Sequence, residues 1–146
     1  MPYRAGMERI NYSSPSVWEP LRGYSRAVRA GDHLFISGTT AVSATGEVVA
    51  PGNAYDQTVF VLERVRKILE RCGFSMEEVV RTRLFVTALS TWDEYARAHR
   101  MAFKHIRPAS SIVQVARLVD PRLMIEIEVD ALKGAMGAQE VSLTDV

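Results

Sequence analysis

Disulfides, membrane spans and a surplus of one charge are all missing from this chain. Its single cysteine, Cys72, has no intrachain partner with which to form a bridge. No stretch approaches the ~18 consecutive apolar residues of a membrane-spanning helix. The first twenty residues carry Arg4, Glu8, Arg9 and Glu19, with no apolar run of the kind a signal peptide needs. Eighteen Lys and Arg stand against seventeen Asp and Glu, a net charge of +1, and no block gathers the basic residues together. Binding of nucleic acid through bulk charge is therefore unsupported. Walker and Rossmann glycine patterns, the G-x-S-x-G elbow and the CxxC pair are absent too, which removes the commonest NTPase, hydrolase and redox signatures. These absences predict a soluble protein of a reducing, cytoplasmic compartment, with neither membrane nor nucleic acid as partner.

What the chain does contain is ordinary globular composition, 47% hydrophobic and 24% charged over 146 residues, enough for one domain with a buried core. Two β-rich runs between Tyr24 and Ser37, split by Gly31-Asp32, predict a hairpin. The preceding segment, through Ser13-Ser14-Pro15-Ser16 and Trp18-Glu19-Pro20, reads as loop around a short strand near Ile10. Asn53 caps a predicted helix over Ala54 to Cys72, in which Thr58, Leu62, Val65, Leu69 and Cys72 share one stripe. Gly73 ends that helix, and Glu63 and Lys67 form an i,i+4 pair on its surface. Ser75 and Glu78 form a capping box before a strand over Val80 to Ala88, with Val80, Thr82, Leu84 and Val86 inward and Arg81 and Arg83 outward. Thr91 and Glu94 form a second box opening a helix to about His105, followed by strands over Ser111 to Leu118 and Leu123 to Ala131.

The order β, β, β, α, β, α, β, β predicts an α+β domain over residues 1–132, with helices on one face of a mixed sheet. The tail 133–146, with Gly134, Gly137 and little periodicity, is expected to be loosely held. On the last strand Ile125, Ile127 and Val129 alternate with Glu126, Glu128 and Asp130. Three acids on one sheet face require water or partners. No metal site is predicted: His99 and His105 are six apart and fall on different sides of a helix. Cys72, on the apolar stripe, reads as a core residue.

Several segments taken together resemble the Rid family of reactive-intermediate deaminases, also called the YjgF or L-PSP endoribonuclease family. They are Gly23-Tyr24-Ser25-Arg26-Ala27-Val28, Ala30-Gly31-Asp32 with Phe35-Ile36-Ser37-Gly38, Gln57-Thr58, Leu69 to Gly73, Phe85-Val86-Thr87, Arg107-Pro108-Ala109 and Ile125-Glu126-Ile127-Glu128. The resemblance implies a chorismate-mutase-like homotrimer whose sheets close a central barrel, with small-molecule clefts at the subunit interfaces. It also implies hydrolysis of enamines and imines such as 2-aminoacrylate to a keto acid and ammonia, with no metal or organic cofactor.

By the same resemblance, Glu126 positions the attacking water and Tyr24 supplies an aromatic hydroxyl at the cleft. Read from the residues themselves, Ser37, Gly38 and Thr39 follow a strand, where Gly38 lets a ligand approach the backbone N–H groups, and Trp92 at the start of the second helix is either a wall of the cleft or a packing residue. The chain departs from the family at P-A-R-[ST], where an arginine forks the substrate carboxylate; here the sequence is Pro108-Ala109-Ser110-Ser111. Ser110 and Ser111 stand at the substrate site, and a neutral hydroxyl lacks the ~1.5–3 kcal/mol of a charge-assisted contact. Two readings of Arg26 follow: a relocated anchor for a ligand anion, or an ion-pair partner of Glu126 or Glu128. Arg107 is a third, poorer anchor, turned to the other face. The functional alternatives are a deaminase, a trimer that binds a ligand or partner without turnover, and an endoribonuclease or translation inhibitor, for which no aromatic RNA-binding signature is present.

Overall fold

The computed structural model describes residues 6–146. Six strands form one sheet in the order β1-β2-β3-β6-β4-β5, where β1 is Arg9–Tyr12, β2 Ala27–Ala30, β3 His33–Thr40, β4 Val79–Val86, β5 Ala109–Gln114 and β6 Ile125–Leu132. All neighbours are antiparallel except β4 and β5. The hairpin turns at Gly31, whose φ of 59° suits a residue without a side chain. Each crossover carries a helix: α2 (Ala54–Arg71) joins β3 to β4, and α3 (Trp92–Phe103) joins β4 to β5. β6 then inserts antiparallel between β3 and β4, at the centre of the sheet.

Burial follows from this layering. Ile125, Ile127 and Val129 of β6 are fully buried, as are Val61, Val65 and Leu69 of α2 and Tyr95 of α3, so both helices cover one face. Asn53 accepts from the Asp56 N–H as the α2 cap, and Gly73 follows the helix with φ of 80°. Gln57 is buried and holds the approach to β6. Its amide donates to the Arg122 carbonyl at 2.9 Å and accepts from the Met124 N–H at 2.8 Å, which satisfies the side chain completely enough to tolerate burial.

Five local expectations need correction. Residues Trp18–Arg22 form a short helix, α1, rather than loop, because the Glu19 carboxylate accepts from the Ser14 N–H and hydroxyl, while the Glu19 carbonyl caps Gly23 and Tyr24. Glu63 pairs with Arg66, which also meets Glu70, and not with Lys67. Thr91 makes no cap; its hydroxyl donates back to the Ala88 carbonyl. Val80 points outward, since β4 bulges there: Val79 opposes Ala131 and Arg81 opposes Asp130, leaving Val80 without a partner residue. Strand β5 also starts two residues earlier than expected and ends at Gln114.

The sheet face opposite the helices is uncovered within one chain and carries Phe35, Arg83, Phe85 and Val113 beside Glu126, Glu128 and Asp130. Much of the acid is neutralised across strands. Arg83 lies 3.7 Å from Glu128 and 3.3 Å from Asp130, and Arg81 lies 3.8 Å from Asp130. These are half-exposed pairs, worth about 0–1 kcal/mol each.

Candidate functional site

Glu126 is the acid of β6 that receives no partner. Among the described residues no hydrogen bond or ion pair reaches its carboxylate, although it is half-buried. Burial pushes its pKa up, and the neighbouring Glu128 adds to this, against smaller pulls from Arg26 and Arg22. A carboxyl raised in this way holds a proton more readily than an ordinary glutamate, the property a general acid–base needs.

The bulge of β3 makes room for it. Ile36 opposes Val129 and Thr39 opposes Ile127, so one extra residue is accommodated at Ser37-Gly38. The Glu126 side chain lies directly against Gly38: a Cβ built there would sit 2.8 Å from the Glu126 Cδ and 3.1 Å from its Cγ. Only glycine lets carboxylate and backbone come this close. Arg26 closes the arrangement from the other side. Its Nη2 donates to the Gly38 carbonyl at 2.6 Å, and its Nε is buried without a partner among the described residues. Burial lowers the guanidinium pKa, opposed by Tyr24, Glu19 and Glu126.

Around this pair stand groups that carried no sequence signal. The Arg22 guanidinium covers the Tyr24 ring at 4.3 Å from its centroid, and Arg64 of α2 donates to the Thr40 and Val42 carbonyls at 3.0 and 3.2 Å, fixing the end of β3. In a chain where arginine supplies most of the basic residues, nothing local distinguished these two. Glu126 thus lies among arginines none of which reaches it within 4 Å. The expected bridge from Arg26 to Glu126 or Glu128 is not formed. Arg81 and Arg83 neutralise the acidic strand instead, because they lie on the adjacent strand in register with it.

The remaining residues named from sequence are scattered. Ser37 donates its hydroxyl to the Ser25 carbonyl at 2.7 Å. Thr39 is fully buried on the core face with its hydroxyl on the Ser37 carbonyl, which places it beneath the site rather than in it. Trp92 is exposed at the start of α3. Ser111 opposes Arg83 on the uncovered sheet face. Ser110 faces the helices: it opposes Thr82, whose hydroxyl lies 2.8 Å from Ser110 Oγ and 2.9 Å from His99 Nε2. Burial lowers the His99 pKa and so disfavours its charged form. Glu126 opposes Phe85 and Ser110 opposes Thr82, three residues away along β4 and on the opposite face. One chain therefore keeps Ser110 and Glu126 about 10 Å apart along the strand. Among the described residues no group of three or more His, Cys, Asp or Glu is placed to hold a metal ion.

Comparison with known proteins gives a consistent result. The family model described as endoribonuclease L-PSP matches residues 15–133. A RutC family protein of Pyrococcus horikoshii is 34% identical over 116 residues, covering 79% of this chain and 90% of the relative. A crystal structure from Mycobacterium tuberculosis, described as a member of the YjgF/YER057c/UK114 family, is 39% identical with a TM-score of 0.77, covering 86% of this chain and 99% of that one. The YjgF gene product of E. coli is 32% identical with a TM-score of 0.69, over 75% of this chain and 87% of its own. No helix among the described residues is long and apolar enough to cross a membrane.

Proposed function

The chain belongs to the endoribonuclease L-PSP family, also called YjgF or Rid, and from that premise we propose that it is a hydrolytic deaminase of a small metabolite bearing an imine or enamine. The observation that carries this reading is the Glu126 carboxyl, unpartnered, raised in pKa and packed on Gly38. Water adds to the C=N carbon while ionised Glu126 takes one of its protons. Glu126-H returns that proton to the nitrogen, which gives the neutral carbinolamine, and the carbinolamine hydroxyl proton then passes through Glu126 to the same nitrogen, which leaves as ammonia as the carbonyl forms; an enamine enters this sequence through its imine tautomer. Atoms balance without a redox partner or cofactor. The uncovered sheet face, with Phe35 and Val113 each 46% exposed, supports assembly into a homotrimer that closes the cleft between subunits, with Tyr24 bordering it.

A second reading is ligand binding without turnover. Ser110, in the place of the family arginine, carries no charge and is engaged with Thr82, so the carboxylate clamp of the family's deaminases is missing. Ammonia release from 2-aminoacrylate generated in situ tests the proposal: release by the native chain that is lost in Glu126→Gln supports it. Saturable binding of pyruvate with no ammonia above background would favour the second reading.

A further inference from the structure

A cleft at the end of the sheet away from Glu126 is built differently from the site above. It has two contiguous parts that share Lys104, Arg107 and Pro108. The smaller, of about 450 Å³, lies between the last turn of α3 and the turn before β5, and Arg100, Lys104 and Arg107 line it with no acid among them. The larger, of about 890 Å³, runs past the start of β4 to the segment after β6, and its apolar lining includes Met76, Val80, Met101 and Met136. Both volumes lie within the ~300–1,000 Å³ of small-molecule sites.

Three features of the cleft call for an occupant. Met101, Met136 and Val80 are 65%, 51% and 40% exposed and all line the one trough, whereas a chain without a use for such a patch keeps its large apolar side chains apart. Val80 is there only because the β4 bulge turns it outward. The cations are also gathered without a counter-charge: among the described residues Arg100, Lys104 and Arg107 meet no carboxylate within 4 Å, and although other cations of the chain are likewise unpaired, these three line one cleft together. Arg100 and Lys104 complement the negative end of the α3 dipole, but Arg107 lies beyond the helix, in a left-handed conformation at φ 53° that an arginine adopts at a cost. His99 also lines the basic part, where burial disfavours its charged form. Glu77 and His105, along the apolar part, are the other ionisable groups lining the cleft.

We propose that this cleft binds a single-chain amphipathic carboxylate, its head group among Arg107, Lys104 and Arg100 and its aliphatic chain along the trough of Met76, Val80, Met101 and Met136. Methionine suits such a chain, being flexible and polarizable enough to adapt to it. The site is independent of the Glu126 chemistry, so it stands or falls without the deaminase reading.

Calorimetric titration of the full chain with sodium decanoate below its micelle concentration tests this, with acetate as the chainless control and decan-1-ol as the uncharged one. Decanoate should bind saturably at one per chain, acetate should not bind, and decanol should bind at least roughly tenfold more weakly, the loss of a charge-assisted contact. Arg107→Gly should weaken decanoate by a similar factor while leaving Tm unchanged or higher, since glycine adopts the left-handed conformation freely. Lys104→Gln and Met136→Asp, both at exposed positions, should weaken it as well. Absence of saturable binding, equal affinity for decanol, or decanoate affinity that survives both Arg107→Gly and Lys104→Gln would overturn the proposal.

Discussion

Two glutamates divide this molecule into a region that is finished and one that is not. Glu78, in the 3-10 turn before β4, is 2% exposed. Burial alone would raise its pKa, but the Gly134 and Ser75 N–H groups at 2.7 and 3.0 Å and the Lys133 ammonium at 3.4 Å outweigh it and hold the carboxyl below the ordinary range. Glu126, near the start of β6, is less buried and has its pKa raised, because no donor compensates its burial and Glu128 adds a like charge. The residue type is the same; the count of donors separates them. A carboxylate given four donors, the Ser75 hydroxyl among them, pins the C-terminal segment to the sheet, and one given none keeps its proton chemistry available for a ligand.

The comparison is sharpest at Gly38. Gly38→Ala would place a methyl group against the Glu126 carboxyl and should swing that side chain away, reducing ammonia release by about 100-fold or more. Melting temperature should fall little, because the displaced group is the end of a flexible chain. A folded Gly38→Ala protein with native ammonia release would remove Glu126 from the chemistry. Next in size is Glu78→Gln, which replaces charge-assisted hydrogen bonds by neutral ones in a buried setting and should cost about 2 kcal/mol at pH 7. Since the folded pKa of Glu78 lies below the ordinary 4.5, its contribution is present above that value and lost as the pH falls through the folded one. The difference from native in urea midpoint should therefore shrink in acid, and a pH-independent difference would show that packing, not charge, matters at Glu78.

Arg26→Gln should cost about 1 kcal/mol by freeing the Gly38 carbonyl, and should weaken pyruvate binding if the guanidinium takes the ligand carboxylate. Unchanged pyruvate affinity would leave Arg26 as a backbone clamp only. The smallest effect carries the opposite sign. Glu126 has its folded pKa raised, so its protonated form is favoured by folding at low pH and that advantage is lost as the pH rises through the folded pKa. Glu126→Gln should therefore stabilise the chain slightly at pH 8, by less than about 1 kcal/mol, and not below pH 4. Thermal melts at the two pH values decide the matter, and a Glu126→Gln protein less stable than native at pH 8 would show that the ionised carboxylate is well satisfied after all.

Local pattern located the strands to within a few residues, and with them both long helices and the composition of the core. Alternation in Ile125 to Asp130, the stripe from Thr58 to Cys72 and the cap at Asn53 each depend on spacing within one element, and the structure reproduces them because period 2 and period 3.6 are properties of the backbone itself. The family resemblance singled out Glu126, and the residues themselves singled out Gly38 and Arg26; the Arg26 guanidinium and the Glu126 carboxyl both meet Gly38. What only the tertiary structure decided is how they are used. The outward turn of Val80 and the extra residue at Ser37-Gly38 depend on the register between strands far apart in sequence. The pairing of Glu128 and Asp130 with Arg81 and Arg83, rather than Arg26, depends on which strand lies beside β6. Ser110 turned toward Thr82 and His99, away from Glu126, for the same reason: a side chain's face is set by its strand's register, and register is fixed by long-range pairing that no local spacing records.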